Sequence, residues 1–428
     1  MFSGQIEIGD GDQIDCIDES ARIKYLGCSF NSELVFDISI IKTISDKQTN
    51  LTASPLLKTD QKLNIMNQYL MPLLTYPLQM APLRKIIKED LEVLDANIRA
   101  AVKAIVGLPK GTCIPMFYSP RNLRGLAVVN LQWEALLQHH SIANRIAAVD
   151  DALVQVVYPA EEEKKKCVEK LGFEYDSEVS TKALRVALRD AQFVKWSKMP
   201  YQGQGVKHFS DFKRGNSFVH GKNSLSCSEW TAAIKLNSNY ANLRAVPGVG
   251  RQGQDNLCRR CGKEQETIKH VLGACFNTEG SRILRHHWVK DRIAALLEEK
   301  GFTCIDELQC RDGDGRIRRV DILAFEPDSN QAYIIDPTVR YEDNEDVAQN
   351  VQTEKESIYA SCADDIIERF PQLASRNFEV IGVWIGSRGT ISTSVVEFFR
   401  RFELDEAVLV EIAEEVLSRS IGILNSFI

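Results

Sequence analysis

The sequence predicts an α+β protein of several domains, mainly helical in its first half and closing on a mixed sheet flanked by helices. Three observations predict this. Apolar residues recur at helical spacing through much of residues 60–150. A compact cysteine and histidine set follows at 258–275. Two strand-like runs, 320–325 and 333–336, flank a turn near the C-terminal third.

The chain has 428 residues, 44% hydrophobic and 26% charged, enough to bury real cores and exclude wholesale disorder. No window approaches the roughly 18 apolar residues of a membrane span, and the acidic, polar N-terminus does not read as a secretory signal. Eleven cysteines without such a signal favour reduced thiols over a disulfide framework. The net charge of −7 is unevenly spread. Residues 321–428 hold 21 acidic and 8 basic groups, the first 320 hold 44 basic and 38 acidic, and 251–295 hold nine basic against five acidic. Local positive patches of this kind permit nucleic-acid binding despite an acidic total.

Residues 1–56 read as short strands and turns, around Lys24-Tyr25-Leu26-Gly27, Phe30 and Leu34-Val35-Phe36. Over 57–150, Leu63, Met66, Leu70 and Leu73 form one helical stripe that Pro72 and Pro77 kink or end. Leu91, Leu94, Ile98, Val102 and Ile105 form a second stripe, closed by Gly107-Leu108-Pro109, and a third helix is expected over 134–149. The more polar stretch 151–250, with a Lys/Glu run at 161–166, reads as a connecting region whose charge run is a solvated helix face.

Residues 251–280 carry the sharpest local signal, Cys258-x2-Cys261-x8-His270-x4-Cys275. Two cysteines two residues apart let one turn present both thiolates to one ion, and His270 and Cys275 complete a tetrahedral set. A closed Cys3His site predicts structural Zn²⁺, and the basic flank (Arg251, Arg259, Arg260, Lys263, Lys269) suits a surface knuckle.

Residues 281–428 begin with a helix at 281–300 whose buried stripe is Val289, Ile293, Leu296 and Leu297. A tight hairpin centred on Asp328-Ser329 then pairs residue i with 657−i, which sets Asp321 opposite Asp336 on one face. Facing carboxylates in apolar surroundings call for a proton or a cation, and carboxylate oxygens suit Mg²⁺. The next helix places Lys355 on the stripe of Val347, Val351, Ile358 and Cys362, with Tyr359 beside it. A metal that activates water and a lysine that neutralises developing charge imply phosphodiester hydrolysis. A strand at 380–385, a turn at Gly386-Ser387-Arg388-Gly389 and helices at 392–403 and 406–419 complete the expected sheet and its cover.

The order of these features resembles the C-terminal portion of the site-specific non-LTR retrotransposon polyproteins that use a restriction-like endonuclease. Lys24-Tyr25-Leu26-Gly27 resembles the segment after the palm motifs of their reverse transcriptase, so 1–56 would be a palm remnant. Leu94-Asp95-x-x-Ile98-Arg99, Leu108-Pro109 and Gly125-Leu126-Ala127-Val128 resemble the thumb. The cluster at 258–275 is similar to their CCHC knuckle, and Arg285-His286 to the pair that opens the nuclease. Asp321, Asp336, Lys355 and Tyr359 match the nuclease motif itself.

The resemblance implies a restriction-endonuclease-like mixed sheet and a nuclear DNA-nicking enzyme that lets reverse transcription prime from the cut. Its expected partners are target DNA and element RNA, met by Arg259, Arg260, Arg285 and His286. Val320 replaces a usual proline and Ile358 a frequent second lysine. No Tyr/Phe-Ala-Asp-Asp polymerase motif occurs in these residues, so polymerisation is implied only for a longer parent protein. A catalytically inactive remnant that still binds nucleic acid is the alternative.

Overall fold

The computed structural model describes residues 5–8, 12–15, 23–25, 28–30 and 47–428, except 49, 87, 222, 223 and 250–254. Leu26-Gly27, Leu34-Val35-Phe36 and Arg251 lie outside the described residues. The chain divides into two units, residues 1–106 with 128–189, and residues 107–127 with 190–428. Among the described residues no helix is long and apolar enough to cross a membrane.

In the first unit, antiparallel pairs β1 (Gln5–Ile8)/β2 (Asp12–Asp15) and β3 (Ile23–Tyr25)/β4 (Cys28–Phe30) agree with the expected short strands. Helices α1 (Thr59–Ile65) and α2 (Met71–Met80) are joined by a π-helical turn, Met66–Leu70. Pro72 offers no amide to the preceding turn, and the widened turn closes instead through the Met71 amide on the Met66 carbonyl. The extra residue rotates the stripe by one position. Leu74 is buried, and Leu73, expected inside, is 41% exposed.

Helix α3 (Lys88–Val106) buries Leu91, Ile98 and Val102 as expected, but ends its stripe on Val106 rather than Ile105. Asp95 is buried on it and accepts the Leu131 amide at 2.9 Å, at the start of α4 (Leu131–Ala147). Burial pushes Asp95 up to about 6. Helix α4 starts before the expected 134 because the Asn130 side chain caps it, accepting the Trp133 amide at 3.0 Å.

The stretch 151–250, expected as a connection, is folded throughout much of its length. It forms α5 (Ala152–Val157), α6 (Ala160–Lys170), α7 (Thr181–Ser197), two 3₁₀ segments (Val206–Ser210 and Lys213–His220) and α8 (Cys227–Asn237). Trp196, Phe209, Phe218 and Trp230 are buried there. Segments with about 3.0 residues per turn carry no 3.6 period, which is why the pattern looked irregular. The charge run lies on α6 and is largely exposed, except Lys164, which is buried and donates to the Ser177 carbonyl at 3.0 Å.

The second unit is built on a five-stranded mixed sheet in the order β5 (Thr303–Arg311), β6 (Ile317–Phe325), β7 (Gln331–Arg340), β8 (Asn377–Gly386), β9 (Thr390–Ile391). Only β7 and β8 run parallel. Helix α9 (Ile268–Gly273) and α10 (Glu279–Glu299) precede it. Helices α11 (Val347–Tyr359) and α12 (Ala363–Arg369) supply the crossover that a parallel pair needs, and α13 (Thr393–Arg401) and α14 (Val408–Phe427) close the unit.

Ile322, Ala324, Ile335, Val383 and Ile385 share one core with Val289, Ile293, Phe399 and Ile412 from α10, α13 and α14. Leu323, Phe325, Ile334 and Val380 share another with Tyr359, Cys362 and Ile366. The alternation covers both faces, the expected mixed sheet between helices. Strand β5 and the length of α14 were not anticipated.

A closed polar node joins distant parts of this unit. Glu342, just after β7, accepts Arg388 Nε at 3.1 Å, the Arg388 amide at 3.0 Å and Thr390 Oγ1 at 2.8 Å. Arg388 donates onward to Asn239 Oδ1 (2.8 Å) and the Gln204 carbonyl (2.9 Å). Arg124 donates to the carbonyls of Arg388 and Gly389 and to Asn216 Oδ1. Gly386 is obligatory here, since a Cβ would collide with the Glu342 carboxylate.

Candidate functional site: a Cys3His cluster and a two-aspartate cleft

The cluster is assembled by a tight turn and a short helix. The Cys258 amide donates to the Glu264 carbonyl and the Gly262 amide to the Cys258 carbonyl, both at 2.8 Å. Gly262 takes φ +66°, which lets the chain reverse between Cys258 and Glu264. Thr267 caps α9 by accepting the His270 amide at 3.0 Å, which aims His270 at the turn, and Cys275 follows the helix.

The four ligand atoms all lie within 4.8 Å of one another. Cys258 Sγ is 3.8 Å from Cys275 Sγ, and Cys261 Sγ is 3.3 Å from His270 Nε2. Sulfurs at about 2.3 Å from a tetrahedral ion stand about 3.8 Å apart, so the donor set and spacing are compatible with structural zinc. The Lys263 amide draws the Cys261 thiol down to about 6, whereas burial pushes Cys275 up to about 11. A bound cation would hold all three sulfurs as thiolates.

The sequence reading missed Glu264. Its Oε2 lies 2.9 Å from His270 Nδ1, the position from which a carboxylate orients a metal-binding imidazole. Its signal was the spacing Cys261-x2-Glu264, a carboxylate inside the knuckle turn.

The second assembly lines a cleft of about 500 Å³. The β6/β7 ladder pairs Ile322 with Ile335, Leu323 with Ile334 and Ala324 with Tyr333, the register derived from the hairpin. Asp321 and Asp336 are the next residue of each strand beyond that ladder, and both line the cleft. Asp336 is nearly enclosed. Its Oδ1 lies 3.0 Å from Lys355 Nζ and accepts Thr338 Oγ1 at 3.0 Å, and its Oδ2 accepts the Tyr359 hydroxyl at 3.0 Å.

Burial, then the neighbouring Asp321 charge, raise Asp336 above the ordinary carboxylate value, against the pull of Lys355 and Tyr359. Asp321 meets His286 Nε2 at 3.3 Å. Burial disfavours the charged imidazole, but Asp321 outweighs it and holds His286 above its usual value. The structure therefore brings Asp321, Asp336, Lys355, Tyr359 and His286 together.

A glycine makes this arrangement possible. Gly382 on β8 pairs with Asp336, and a Cβ there would stand 3.2 Å from Val351 Cγ1 and 3.3 Å from Lys355 Cγ. Gln352 clamps α11 over the gap, accepting the Gly382 amide at 2.7 Å and donating to the Val380 carbonyl at 2.8 Å. Sequence reasoning also missed Glu307, which lines the same cleft with φ +55°. It lies 3.0 Å from Lys290 and 3.6 Å from His287 and pairs with Arg319.

Three of the four residues expected to meet nucleic acid are engaged internally. Arg259 forks onto buried Glu266, its Nε at 2.9 Å and Nη2 at 2.6 Å from Oε1. Arg260 donates to the Phe427 and Ser426 carbonyls at the end of α14. Arg285 is buried and donates to Ser420 Oγ (2.8 Å) and the Leu272 carbonyl (2.9 Å). Only His286 combines a partly exposed side chain with a partner in the cleft.

No family model matches the chain. It is similar over most of its length to retrovirus-related Pol polyproteins from R2 retrotransposable elements. It is 23% identical over 372 residues to the retrovirus-related Pol polyprotein from type-1 retrotransposable element R2 of Popillia japonica, covering 86% of this chain and 73% of that protein. It is 25% identical over 335 residues to the Pol polyprotein from type-2 retrotransposable element R2DM of Drosophila melanogaster, and 24% over 309 residues to the type-1 R2 polyprotein of Nasonia vitripennis. The chain spans only 30% and 28% of the length of those two relatives.

Proposed function

We propose that this chain carries a Mg²⁺-dependent DNA endonuclease that nicks target DNA in the nucleus, so that the exposed 3′ end primes reverse transcription of element RNA. The observation that carries the reading is the pairing of Asp321 and Asp336 in one cleft with Lys355 and Tyr359 on Asp336. Two carboxylates at neighbouring register positions offer hard oxygen donors, and the raised Asp336 fits a site completed by a cation. Bound Mg²⁺ would activate water and stabilise the leaving oxygen.

Asp321 and Asp336 would hold the ion. Lys355, carried on α11 over the gap at Gly382 and 3.0 Å from Asp336, would meet the scissile phosphate beside it. Tyr359 keeps the Asp336 carboxylate in place, and His286 orients Asp321. In this reading residues 281–428 are the nuclease and 251–280 a zinc knuckle. Residues 57–150 correspond to a thumb and 1–56 to the end of a palm. Arg259, Arg260 and Arg285 brace the knuckle and helices, while Arg319 and Arg340 at the cleft, paired with Glu307 and Glu354, would exchange those carboxylates for phosphates.

Ile358 supports a second reading, an inactive nucleic-acid binder, because it packs on an apolar core where the resemblance has a second lysine. A supercoiled-plasmid nicking assay separates the two. Mg²⁺-dependent nicking by the wild type, absent in Asp336→Asn, is the expected result. Salt-sensitive binding without nicking in either protein would leave only the binder.

A further inference from the structure

Outside the cleft, His208 makes a buried contact with the turn that feeds it. The residue sits in the 3₁₀ segment Val206–Ser210 and is 7% exposed. Its Nδ1 lies 3.0 Å from Asp211 Oδ2, and its Nε2 lies 2.8 Å from the Asn344 carbonyl oxygen. An ionised carboxylate and a carbonyl both accept, and neither donates. A neutral imidazole carries one N–H and satisfies one of them, whereas the imidazolium satisfies both. The geometry calls for a charged ring.

Asn344 is where that ring acts on the cleft. Residues 341–346 join β7, which carries Asp336, to α11, which carries Lys355. The Asn344 carbonyl takes the imidazole, and its side-chain Oδ1 accepts the Asp346 amide at 3.0 Å, where α11 opens. Tyr341 and Glu342 fix the β7 end of the turn through Asn239 and Arg388. Lys269–Asp343 (2.6 Å) and Lys207–Glu345 are exposed ion pairs and contribute little. Among the described residues, the buried polar tie at the α11 end is the one from His208.

We propose that His208, as an imidazolium donating from both nitrogens, is a positioning residue that holds the entry of α11, and with it Lys355, beside Asp336, so that the site loosens when the ring loses its proton. The proposal rests on the reading that the cleft nicks DNA. Asp211 on its own segment and Glu342 after β7 are the charges that favour the imidazolium. The neighbouring cations Lys207 and Arg388 are each met by a carboxylate, Glu345 and Glu342, and the uncharged Trp384 ring of β8 meets the imidazole edge-on at 5.0 Å. Burial favours the neutral ring, but Asp211, the Asn344 carbonyl and Glu342 outweigh it and hold His208 above its ordinary value. The hold on α11 is therefore complete below the ordinary imidazole value and is lost as pH rises through the raised one.

The test uses the full chain with ¹⁵N-labelled histidine, first in buffer free of Mg²⁺ and DNA. At about pH 6.5 the His208 ring, assigned by its loss in His208→Gln, should carry both protons and titrate only at higher pH. Asp211→Asn should lower that midpoint to the ordinary value or below, since an amide can donate to a neutral ring and a carboxylate cannot. Hydrogen exchange of the 344–352 amides should quicken about tenfold in His208→Gln, the size of one charge-assisted hydrogen bond, while β6 stays protected. With Mg²⁺ and plasmid added, that variant should lose kcat by a similar factor and keep its KM. Asp211→Asn should nick like the wild type at about pH 6.5 and keep its rate further into the alkaline range.

A singly protonated His208 ring at about pH 6.5, or unchanged exchange at 344–352 in His208→Gln, overturns the proposal. So does a wild-type kcat in His208→Gln once the exchange has quickened, because Lys355 is then placed without the ring. Should His208→Gln fail to fold, Asp211→Asn decides, and an unmoved midpoint or pH profile overturns the proposal. Absence of nicking in the wild type removes the nuclease reading instead, and the titration and the exchange still score the hold on α11.

Discussion

Two ion pairs lie along the same β7–β8 edge, and they are tuned in opposite directions. At Glu342–Arg388 both side chains are fully buried, and at Asp336–Lys355 the side chains keep 5% and 13% exposure at a cleft. Each pair depends on a glycine of β8, Gly386 for the first and Gly382 for the second. Burial raises Glu342, but the Arg388 charge and amide and Thr390 outweigh it and leave the acid below its ordinary value. Asp336 also has donors, but burial and then the Asp321 charge leave it above its ordinary value. The second carboxylate beside Asp336, which has no counterpart among the groups that shift Glu342, is the chemical difference between the two pairs.

The largest test of this contrast is Asp336→Asn. It should lower Mg²⁺-dependent nicking by roughly a thousandfold, about 4 kcal/mol of transition-state stabilisation, while the metal-free protein keeps its melting temperature within a few degrees. A large loss of stability would make Asp336 structural and erase the distinction.

Glu342→Gln should do the opposite. It leaves the enclosed Arg388 without its counter-charge and should cost about 3–5 kcal/mol in denaturant unfolding, and Gly386→Ala should approach the same loss. If Glu342→Gln is neutral in stability, the node is not what holds this unit.

Metal should act on one pair only. Because native Asp336 binds its proton more tightly than the unfolded chain does, the metal-free protein loses stability as pH rises through the interval from the ordinary carboxylate range to that raised value. Saturating Mg²⁺ at 100 times its Kd should return about 2.7 kcal/mol, more at pH 8 than at pH 5.5 and none in Asp336→Asn. Glu342 carries the reverse sign, since its contribution is present at neutral pH and lost on acidification below the ordinary carboxylate range. The smallest effect belongs to Gly382→Ala. Its Cβ presses on Lys355 and α11 by a few tenths of an ångström, and it should cut nicking about tenfold, or about 1.4 kcal/mol, with little change in melting.

The contrast also separates what was legible in the sequence from what was not. The β6/β7 register, which brings Asp321 and Asp336 to one cleft, was readable because a hairpin register is local arithmetic. Lys355 and Tyr359 were readable from one helical stripe, and the cysteine cluster from its spacing. Arg388 read as a turn residue and Glu342 was not singled out, because their partnership spans 46 positions and the other contacts of Arg388 reach back to Gln204 and Asn239. Periodicity carries no information at that range. The 3₁₀ segments at 206–220 and the π turn at 66–70 failed for a related reason, since each departs from the 3.6 repeat that the reading relied on.

The bond from Arg124 to the Arg388 carbonyl bears on how the chain is made, because 264 residues separate donor and acceptor. At about 5–20 residues per second, a ribosome would add the acceptor roughly 15–50 s after the guanidinium. For that interval Asn216, only 92 positions further on, can already hold one edge of the guanidinium. The contacts of Arg124 are therefore completed only after the turn that supplies the Arg388 and Gly389 carbonyls has left the exit tunnel.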